Sequence, residues 1–287
     1  MASLKKIISE NVEGSFFVDS TCIDCDACRK IAPSSFVRGK GYSYVLKQPT
    51  SVREKMEAKQ ALISCPVGSI GMQEKESLVE AMESFPIDLG HDIYLNGFNH
   101  KSSYGADSYF IKSDLGNFMV DAPRFNKTLV KKMHEMGGLK FIFLTHKDDV
   151  ADAKNYAREF GAKRIIHEDE LSAQPDAEIV ISGSGDTLID DFIIMHTPGH
   201  TRGHMVLIWK EQYLFSGDHF AYSDIRGDWS CFKNVCWYNW EEQIESVERL
   251  ARFPKITNVY PGHGRRNSVT PGEFPAIIQR VVAWMKT

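Results

Sequence analysis

The sequence predicts an α+β chain of two domains, and three observations carry that expectation. The chain has 287 residues, about twice the ~150 that one domain usually takes. Up to about residue 75 it carries a tight group of cysteines among a few short apolar runs; after Gly90, β-branched and aromatic runs alternate with helical stretches. It is 43% hydrophobic and 25% charged, the balance of an ordinary globular protein, which excludes a disordered chain, a fibre or a small disulfide scaffold. The expected division is a first domain over 1–76, a linker over 77–89 and a second domain over 90–287.

The elements follow in order. Phe16-Phe17-Val18 and Tyr42–Leu46 read as strands, and Ser51–Ile63 as a helix with Ser51 at its cap. ESLVEAMESF reads as a short helix stopped by Pro86. Beyond Gly90 the strand candidates are IYLNGF, SYFIK, NFMVD, FIFLT, RIIHE, EIVIS, FIIMHT, MVLIW, YLFSG and NVYPG. Helices are expected over Asn126–Met136, Val150–Phe160, Trp240–Phe253 and Gly272–Met285. His146, His200, Asp218 and His263 each fall just after a strand-like run, where loops held by a rigid sheet build sites.

A net charge of −4 gives no hint of nucleic acid. No stretch approaches the ~20 apolar residues of a membrane helix, and MASLKKIISENVEG lacks the apolar region of a signal peptide. A cytoplasmic protein without a membrane or nucleic-acid partner is expected. Clustered cysteines in such a reducing compartment bind metal or do redox work.

CIDCDAC places Cys22, Cys25 and Cys28 in a C-x2-C-x2-C run. A thiolate every third residue lets one loop wrap three corners of an iron–sulfur cube, and Cys65, ahead of Pro66, can close the fourth. Ala32-Pro33 stands where a two-cluster protein carries its next Cys-Pro, so a second cluster is not indicated. The plainer alternatives are a zinc site or free thiols, although zinc sites normally pair two C-x2-C knuckles. Residues 14 to about 72 resemble single-cluster bacterial ferredoxins, through this loop, Ala32-Pro33-Ser34-Ser35-Phe36 and the distant Cys-Pro. The resemblance implies Cys22, Cys25, Cys28 and Cys65 as ligands of one 4Fe–4S cluster; a 3Fe–4S form fits the same sequence.

Four further blocks stand in order: THKDDVADA (145–153), HTPGHTRGH (196–204), FSGDHF (215–220) and YPGHGRR (260–266). Together they resemble the metallo-β-lactamase fold superfamily, which includes glyoxalase II-type thioesterases, persulfide dioxygenases and flavodiiron proteins. The resemblance implies an αβ/βα sandwich over about 88–287 with iron or zinc at one edge. Its first motif is altered. His146 keeps the first histidine position, Asp148 stands at the second, and Val150-Ala151 replace an Asp-His pair. The implied ligands are His146, Asp148 and His200 with a bridging Asp218, and His263 for a second ion. Asp149 or Asp152 is a candidate to replace the lost ligands; for Asp149 a helix-capping role is preferred.

Other residues carry weaker signals. His196 and His204 are expected to be hydrogen-bonded loop residues, His167 an ordinary strand-end histidine, and His219 either substrate-facing or a support for a ligand. Cys231 and Cys236 are expected to pack rather than to form a redox pair. Trp229, Trp237, Tyr238 and Trp240 can wall a site or fill a core, and Arg265-Arg266 can attract an anion or sit in exposed salt bridges.

His146, His200 and Asp218 make a 2-His-1-carboxylate set, which suits non-haem iron, and electron delivery is of no use to simple hydrolysis. The favoured expectation is therefore an iron-dependent oxidoreductase acting on a small-molecule substrate. The cluster would supply electrons, a redox partner protein is expected, and a homodimer is left open. A glyoxalase II-type metal hydrolase with a structural or sensing cluster is the alternative, and a non-enzymatic electron-transfer protein the third reading.

Overall fold

The computed structural model describes residues 2–287. Its chain divides into two compact units. The first is the chain up to Ser113 together with Pro123–Leu139, and the second is Asp114–Ala122 together with Lys140–Thr287. This division differs from the one expected at 77–89, because residues 90–113 fold within the first unit. No helix of the described residues is long and apolar enough to cross a membrane.

In the first unit, β1 (Phe16–Val18) is followed by α1 (Ala27–Ile31), β2 (Phe36–Arg38), β3 (Ser43–Val45), α2 (Val52–Ser64) and β4 (Ile70–Met72). β1 pairs antiparallel with β4, and β2 with β3. Strands this short need further pinning. The Asn11 side chain supplies it, donating to Ile8 O and Val18 O while its own oxygen accepts from Val18 N and Val45 N. α2 opens with a capping box in which Ser51 Oγ accepts from Glu54 N at 3.1 Å and Glu54 accepts from Ser51 N at 3.0 Å. Its buried Ala58 and Ala61 let it lie close on Phe16, Val18, Phe36, Val45 and Ile70. The unit continues with α3 (Val79–Glu83), the antiparallel β5 (Ile87–Asp88), β6 (Ile93–Leu95) and β7 (Tyr109–Ile111), and α4 (Lys127–Glu135). Asn126 caps α4 by accepting from Thr128 N and Leu129 N.

In the second unit, β8 (Phe118–Val120), β9 (Phe141–Phe143), β10 (Lys163–His167) and β11 (Ile179–Ile181) run parallel, β8 beside β9, β9 beside β10 and β10 beside β11. α5 (Ala153–Phe160) packs against β9 and β10. A six-stranded sheet follows, formed by β12 (Thr187–Ile189), β13 (Phe192–His196), β14 (Met205–Trp209), β15 (Tyr213–Gly217) and, beyond the β16 (Ala221–Ser223)–β17 (Asp228–Ser230) hairpin and α6 (Trp240–Arg249), by β18 (Asn258–Pro261) and β19 (Asn267–Ser268). α7 (Phe274–Met285) closes the chain. The period of two sends Val206 and Ile208 to the helices, where they meet Ile244, Val247, Ile278 and Val281. The opposite face meets the parallel strands, with Phe192 stacked on Phe118 at 3.8 Å and on Trp209 at 5.7 Å between ring centroids. This is the expected sandwich of two facing sheets with helices outside.

The differences from expectation are local. The helix expected from Val150 begins at Ala153, because Lys147–Asp149 forms a separate 3-10 turn and Ala151 takes a positive φ of 31°. β2, β4, β5, β12, β16, β17 and β19 are not expected from the sequence; each is two or three residues long, too short for a periodic signal.

β13 and β15 both run antiparallel to β14, and β18 runs parallel to β15. The C-terminal ends of all three therefore emerge at one sheet edge, carrying the loops with His200, Asp218 and His263.

Phe192 is fully buried between two rings, so Phe192→Ala is expected to lower unfolding stability by about 3–5 kcal/mol, the usual cost of emptying a buried aromatic site. Leu188→Ala in the same sheet, at a side chain 71% exposed, is expected to stay within about 0.5 kcal/mol. Chemical denaturation of both variants checks the pair.

Candidate metal centres

The loop between β1 and α1 holds the first three cysteines. Asp24 and Asp26 take positive φ (56° and 71°), a region that aspartate tolerates better than most residues, and so the backbone coils between the thiols. The Arg29 guanidinium fixes the coil, donating to Asp26 Oδ1 at 2.6 Å and Asp24 Oδ1 at 2.7 Å. Cys65 follows α2 directly. Cys22, Cys25, Cys28 and Cys65 line one concavity of about 310 Å³, measured with its open mouth, with Val18, Ile23, Val67 and Ile70 as its apolar walls. Ser43 N donates to Cys22 Sγ at 3.3 Å and Ser69 N to Cys65 Sγ at 3.2 Å. Burial pushes the Cys25 thiol up to about 12 and the Cys28 thiol up as well. Thiols so desolvated need a cationic partner to ionise, which an iron–sulfur core supplies. The residues fit such a group: four sulfurs, a dry lining and backbone donors aimed at two of the sulfurs.

The second centre lies at the strand ends of the second unit. β9 ends at Phe143, and Thr145-His146 follow at once. Asp121 accepts from Thr145 N (2.8 Å) and Thr145 Oγ1, and Thr145 Oγ1 lies 3.0 Å from His146 Nδ1. That chain holds the ring and leaves His146 Nε2 pointing away. His146 Nε2 lies 3.8 Å from Asp218 Oδ2, and His200 Nε2 lies 3.6 Å from the same oxygen. Among the described residues neither nitrogen has a hydrogen-bond partner, although both sit in buried side chains. His263 Nδ1 lies 2.8 and 2.9 Å from the two Asp218 oxygens, and His263 N donates to Oδ1 at 3.1 Å.

Burial holds His146 down at about 3 and also lowers His200, so both imidazoles are neutral near pH 7, the form a metal takes. Burial pushes Asp218 up, but His263, which hydrogen-bonds both its oxygens, holds the carboxyl well below its usual range. A buried carboxylate beside two imidazole nitrogens without partners is a donor set suited to a divalent cation.

The structure brings His146, Asp148 and His200 into one group and His146, Asp149 and Asp218 into another, the ligand atoms of each lying within 4.8 Å of one another. Asp148 is half-exposed, with Oδ2 3.8 Å from His146 Nε2. Asp149, for which a capping role was preferred, lies inside the 3-10 turn, is buried and faces Asp218. Gly262 makes room for both carboxylates, since a Cβ there would lie 3.0 Å from Asp149 Oδ2 and 3.0 Å from Asp218 Oδ1. Asp152 is in neither group; it occupies the N-cap position of α5 and accepts from Asn155 Nδ2. The sequence reading leans to Asp152 as the replacement ligand and to a cap for Asp149, because the positive φ of Ala151 that sets the turn leaves no compositional mark.

Several supports come from outside the expected ligands. Glu170 is buried and joins two ligand loops, accepting from Lys147 N at 3.1 Å and Gly203 N at 2.7 Å. Nothing in its local sequence marks it. His204 Nε2 accepts from Asp218 N at 3.3 Å. His219 is fully buried and stacks on His204, which removes it from any substrate-facing role. His196 Nε2 donates to Arg202 O, and the His196 ring stacks on His167 at 4.0 Å and 8°. With Asp169 these two rings form a third compact group, but the in-plane lone pairs of parallel stacked rings do not converge on one ion. Cys231 and Trp229 are core. Cys236 Sγ donates to Gly199 O, and Trp237 N donates to His200 O, which sets the 64%-exposed Trp237 beside that ligand. Arg265 pairs with Asp224 at 2.6 Å.

The family model for the 4Fe-4S single cluster domain of Ferredoxin I matches residues 18–72, and that for the metallo-beta-lactamase superfamily matches residues 91–270. Among curated proteins, a hydroxyacylglutathione hydrolase from Pelagibacter ubique is 26% identical over 163 residues, which take in 54% of this chain and 65% of the relative. One from Aliivibrio fischeri is 25% identical over 119 residues, 41% of this chain and 44% of the relative. The chain thus spans less than two thirds of these relatives. Among solved structures, the metallo-beta-lactamase FIM-1 of Pseudomonas aeruginosa in its mono-zinc form is similar at TM-score 0.54 and 16% identity, over 69% of this chain and 93% of that one. The enzyme of Hirschia baltica is similar at 0.53 and 15%, over 69% and 95%. Such identities speak for the fold alone.

Glu170→Gln places an amide NH2 against backbone N–H groups that need an acceptor. Zinc binding, measured by equilibrium dialysis, is expected to weaken about 10–100-fold, the range for lost supports of metal ligands.

Proposed function

The chain belongs to the metallo-beta-lactamase superfamily, and from that premise we propose that it is a metal-dependent hydrolase of an acyl bond, a thioester or a related one, fused to a domain whose four cysteines hold a 4Fe–4S cluster. The observation that carries the reading is the convergence of His146 Nε2 and His200 Nε2, both without hydrogen-bond partners, on Asp218 Oδ2. The thioester is favoured because the curated relatives are named for hydrolysing hydroxyacylglutathione.

A divalent metal held there would supply a Lewis acid for the carbonyl and lower the pKa of a bound water. In this reading His146, Asp148, His200 and Asp218 would hold one ion, and Asp149 and His263 would serve a second. Asp149 takes over the carboxylate role lost at Val150. The Asp121–Thr145 chain keeps the proton of His146 on Nδ1, so that Nε2 is free to bind. His263 holds a proton at Nδ1 against Asp218 in the resting arrangement. Asp148, open to solvent at the mouth, is placed to accept a proton from water, and the exposed Trp237 and Tyr238 offer an apolar rim for the acyl or thiol part of a small-molecule substrate.

A second reading has one observation in its favour: a ferredoxin-type domain shares the chain, and hydrolysis moves no electrons. In that reading His146, His200 and Asp218 hold non-haem iron, the cluster delivers electrons from a redox partner protein, and the reaction is an oxidoreduction.

Metal and acid-labile sulfide content of anaerobically purified protein, measured beside hydrolysis of a hydroxyacyl-glutathione thioester, separates the two. The hydrolase reading expects about four irons and four sulfides for the cluster, surplus zinc or iron lost in His146→Ala, and thioester cleavage unchanged when the cluster is reduced. Surplus iron with no thioester cleavage in either cluster state would favour the oxidoreductase. Within the hydrolase reading, Asp149→Asn is expected to remove the second equivalent of metal, whereas Asp152→Asn leaves the metal content as it was. The reverse outcome would overturn the ligand assignment.

A further inference from the structure

We infer that the loop between β6 and β7, outside the ferredoxin-like stretch, is a wall of the cysteine cradle, and that Tyr104 and Gly105 are positioning residues for the group it holds. The inference rests on the reading that the four cysteines bind an iron–sulfur cluster.

The loop is folded from within by Asn99, a buried side chain whose Nδ2 donates to Gly105 O at 2.8 Å, Ala106 O at 3.0 Å and Asp107 Oδ1 at 3.1 Å. It then reaches the cysteine loop at three places. Tyr104 Oη donates to Ile23 O, in the backbone between Cys22 and Cys25. Gly105 lies against Cys25: a Cβ there would stand 2.8 Å from Cys25 Cβ, 2.9 Å from its Sγ and 3.0 Å from Pro66 Cγ. Asp107 Oδ2 meets Lys30 Nζ at 3.0 Å, both side chains at most 2% exposed, which ties the loop to the helix that carries Cys28. The contacts flank Cys25 on both sides in sequence and touch the Cys-Pro turn at Cys65. A buried ion pair left with one partner is costly, so the loop is locked on rather than resting there.

The potential of an iron–sulfur cluster follows its solvent exposure and the hydrogen bonds around its sulfurs. The reduced cluster carries the extra negative charge, and water stabilises it. A loop that keeps water from the Cys25 corner therefore lowers the potential and protects that corner from iron loss.

Gly90 provides the control. Gly105 and Gly90 share a φ of +83°, but a Cβ at Gly90 meets nothing within 4 Å, so Gly105→Ala and Gly90→Ala share the backbone penalty and differ in the contact with Cys25. Tyr104→Phe removes only the hydroxyl that anchors the loop on Ile23. The full chain of each variant, reconstituted without oxygen, would be assayed for iron, acid-labile sulfide, the electron paramagnetic resonance of the reduced cluster and its midpoint potential. Gly105→Ala is expected to hold less iron and sulfide than Gly90→Ala. Tyr104→Phe is expected to keep the cluster but to show a higher midpoint potential and faster bleaching in air than the unaltered protein. If both variants match their references in all four measurements, the inference fails. If circular dichroism shows Gly105→Ala unfolded, Tyr104→Phe decides alone. Absence of iron and sulfide from the unaltered reconstituted protein would instead overturn the cluster reading and the inference with it.

Discussion

Holding a carboxylate out of water beside neutral imidazoles is the constraint on which the second unit's site depends. Asp218 is buried at the end of β15, and an isolated buried carboxylate costs several kcal/mol even after relaxation. The surroundings are arranged against that cost. His263 sits on both its oxygens and His204 fixes its backbone N–H, while the ring nitrogens of His146 and His200 that face Oδ2 leave room for a cation between them and the carboxylate. Each group comes from a different strand end, so one sheet must deliver β9 and the facing sheet β13, β15 and β18 before the site exists. The parallel pairing of β15 with β18, which sets Gly217 opposite Pro261, places Asp218 and His263 side by side without help from either loop.

The cysteine cradle meets the same difficulty with sulfur. Burial desolvates the Cys25 and Cys28 thiols, and a cationic occupant would let them ionise. Local sequence provides the coil through Arg29, Asp24 and Asp26, while Cys65 arrives on the end of α2. On the Cys25 side Gly105 lies against Cys25 and Tyr104 donates to Ile23 O, both residues within the stretch matched to the metallo-beta-lactamase superfamily. The two sequence families therefore meet inside one compact unit, which accounts for a spatial division that does not follow the sequence linker.

Much of this was legible before any coordinates. A C-x2-C-x2-C run and histidines placed just after apolar runs are short-range signals, and Ser51 advertises its cap. What was not legible depends on distance or on backbone handedness. Glu170 reaches Lys147 and Gly203 through the tertiary fold, and no pattern near residue 170 betrays it. The strands Thr187–Ile189 and Asn267–Ser268 exist because a neighbour pairs with them. The choice between Asp149 and Asp152 turned on the φ of Ala151, a residue type that announces nothing.

That choice bears on whether the second centre retains its chemistry or is an inherited relic. Val150 and Ala151 stand where the resemblance expects an Asp-His pair, which taken alone suggests decay. A decayed site should relax: its carboxylates would turn to solvent or be packed over, because two buried like charges within 4.8 Å repel and are both desolvated. Here the opposite holds. The tight turn drives Asp149 inward to a buried position beside Asp218, the two stand across a glycine whose side chain would crowd both, and His146 and His200 keep nitrogen atoms without partners in the same space. Such an arrangement is the donor set that a divalent cation takes. A carboxylate next to Val150 thus stands buried beside Asp218, and that placement is what a retained metal centre requires and a relic does not.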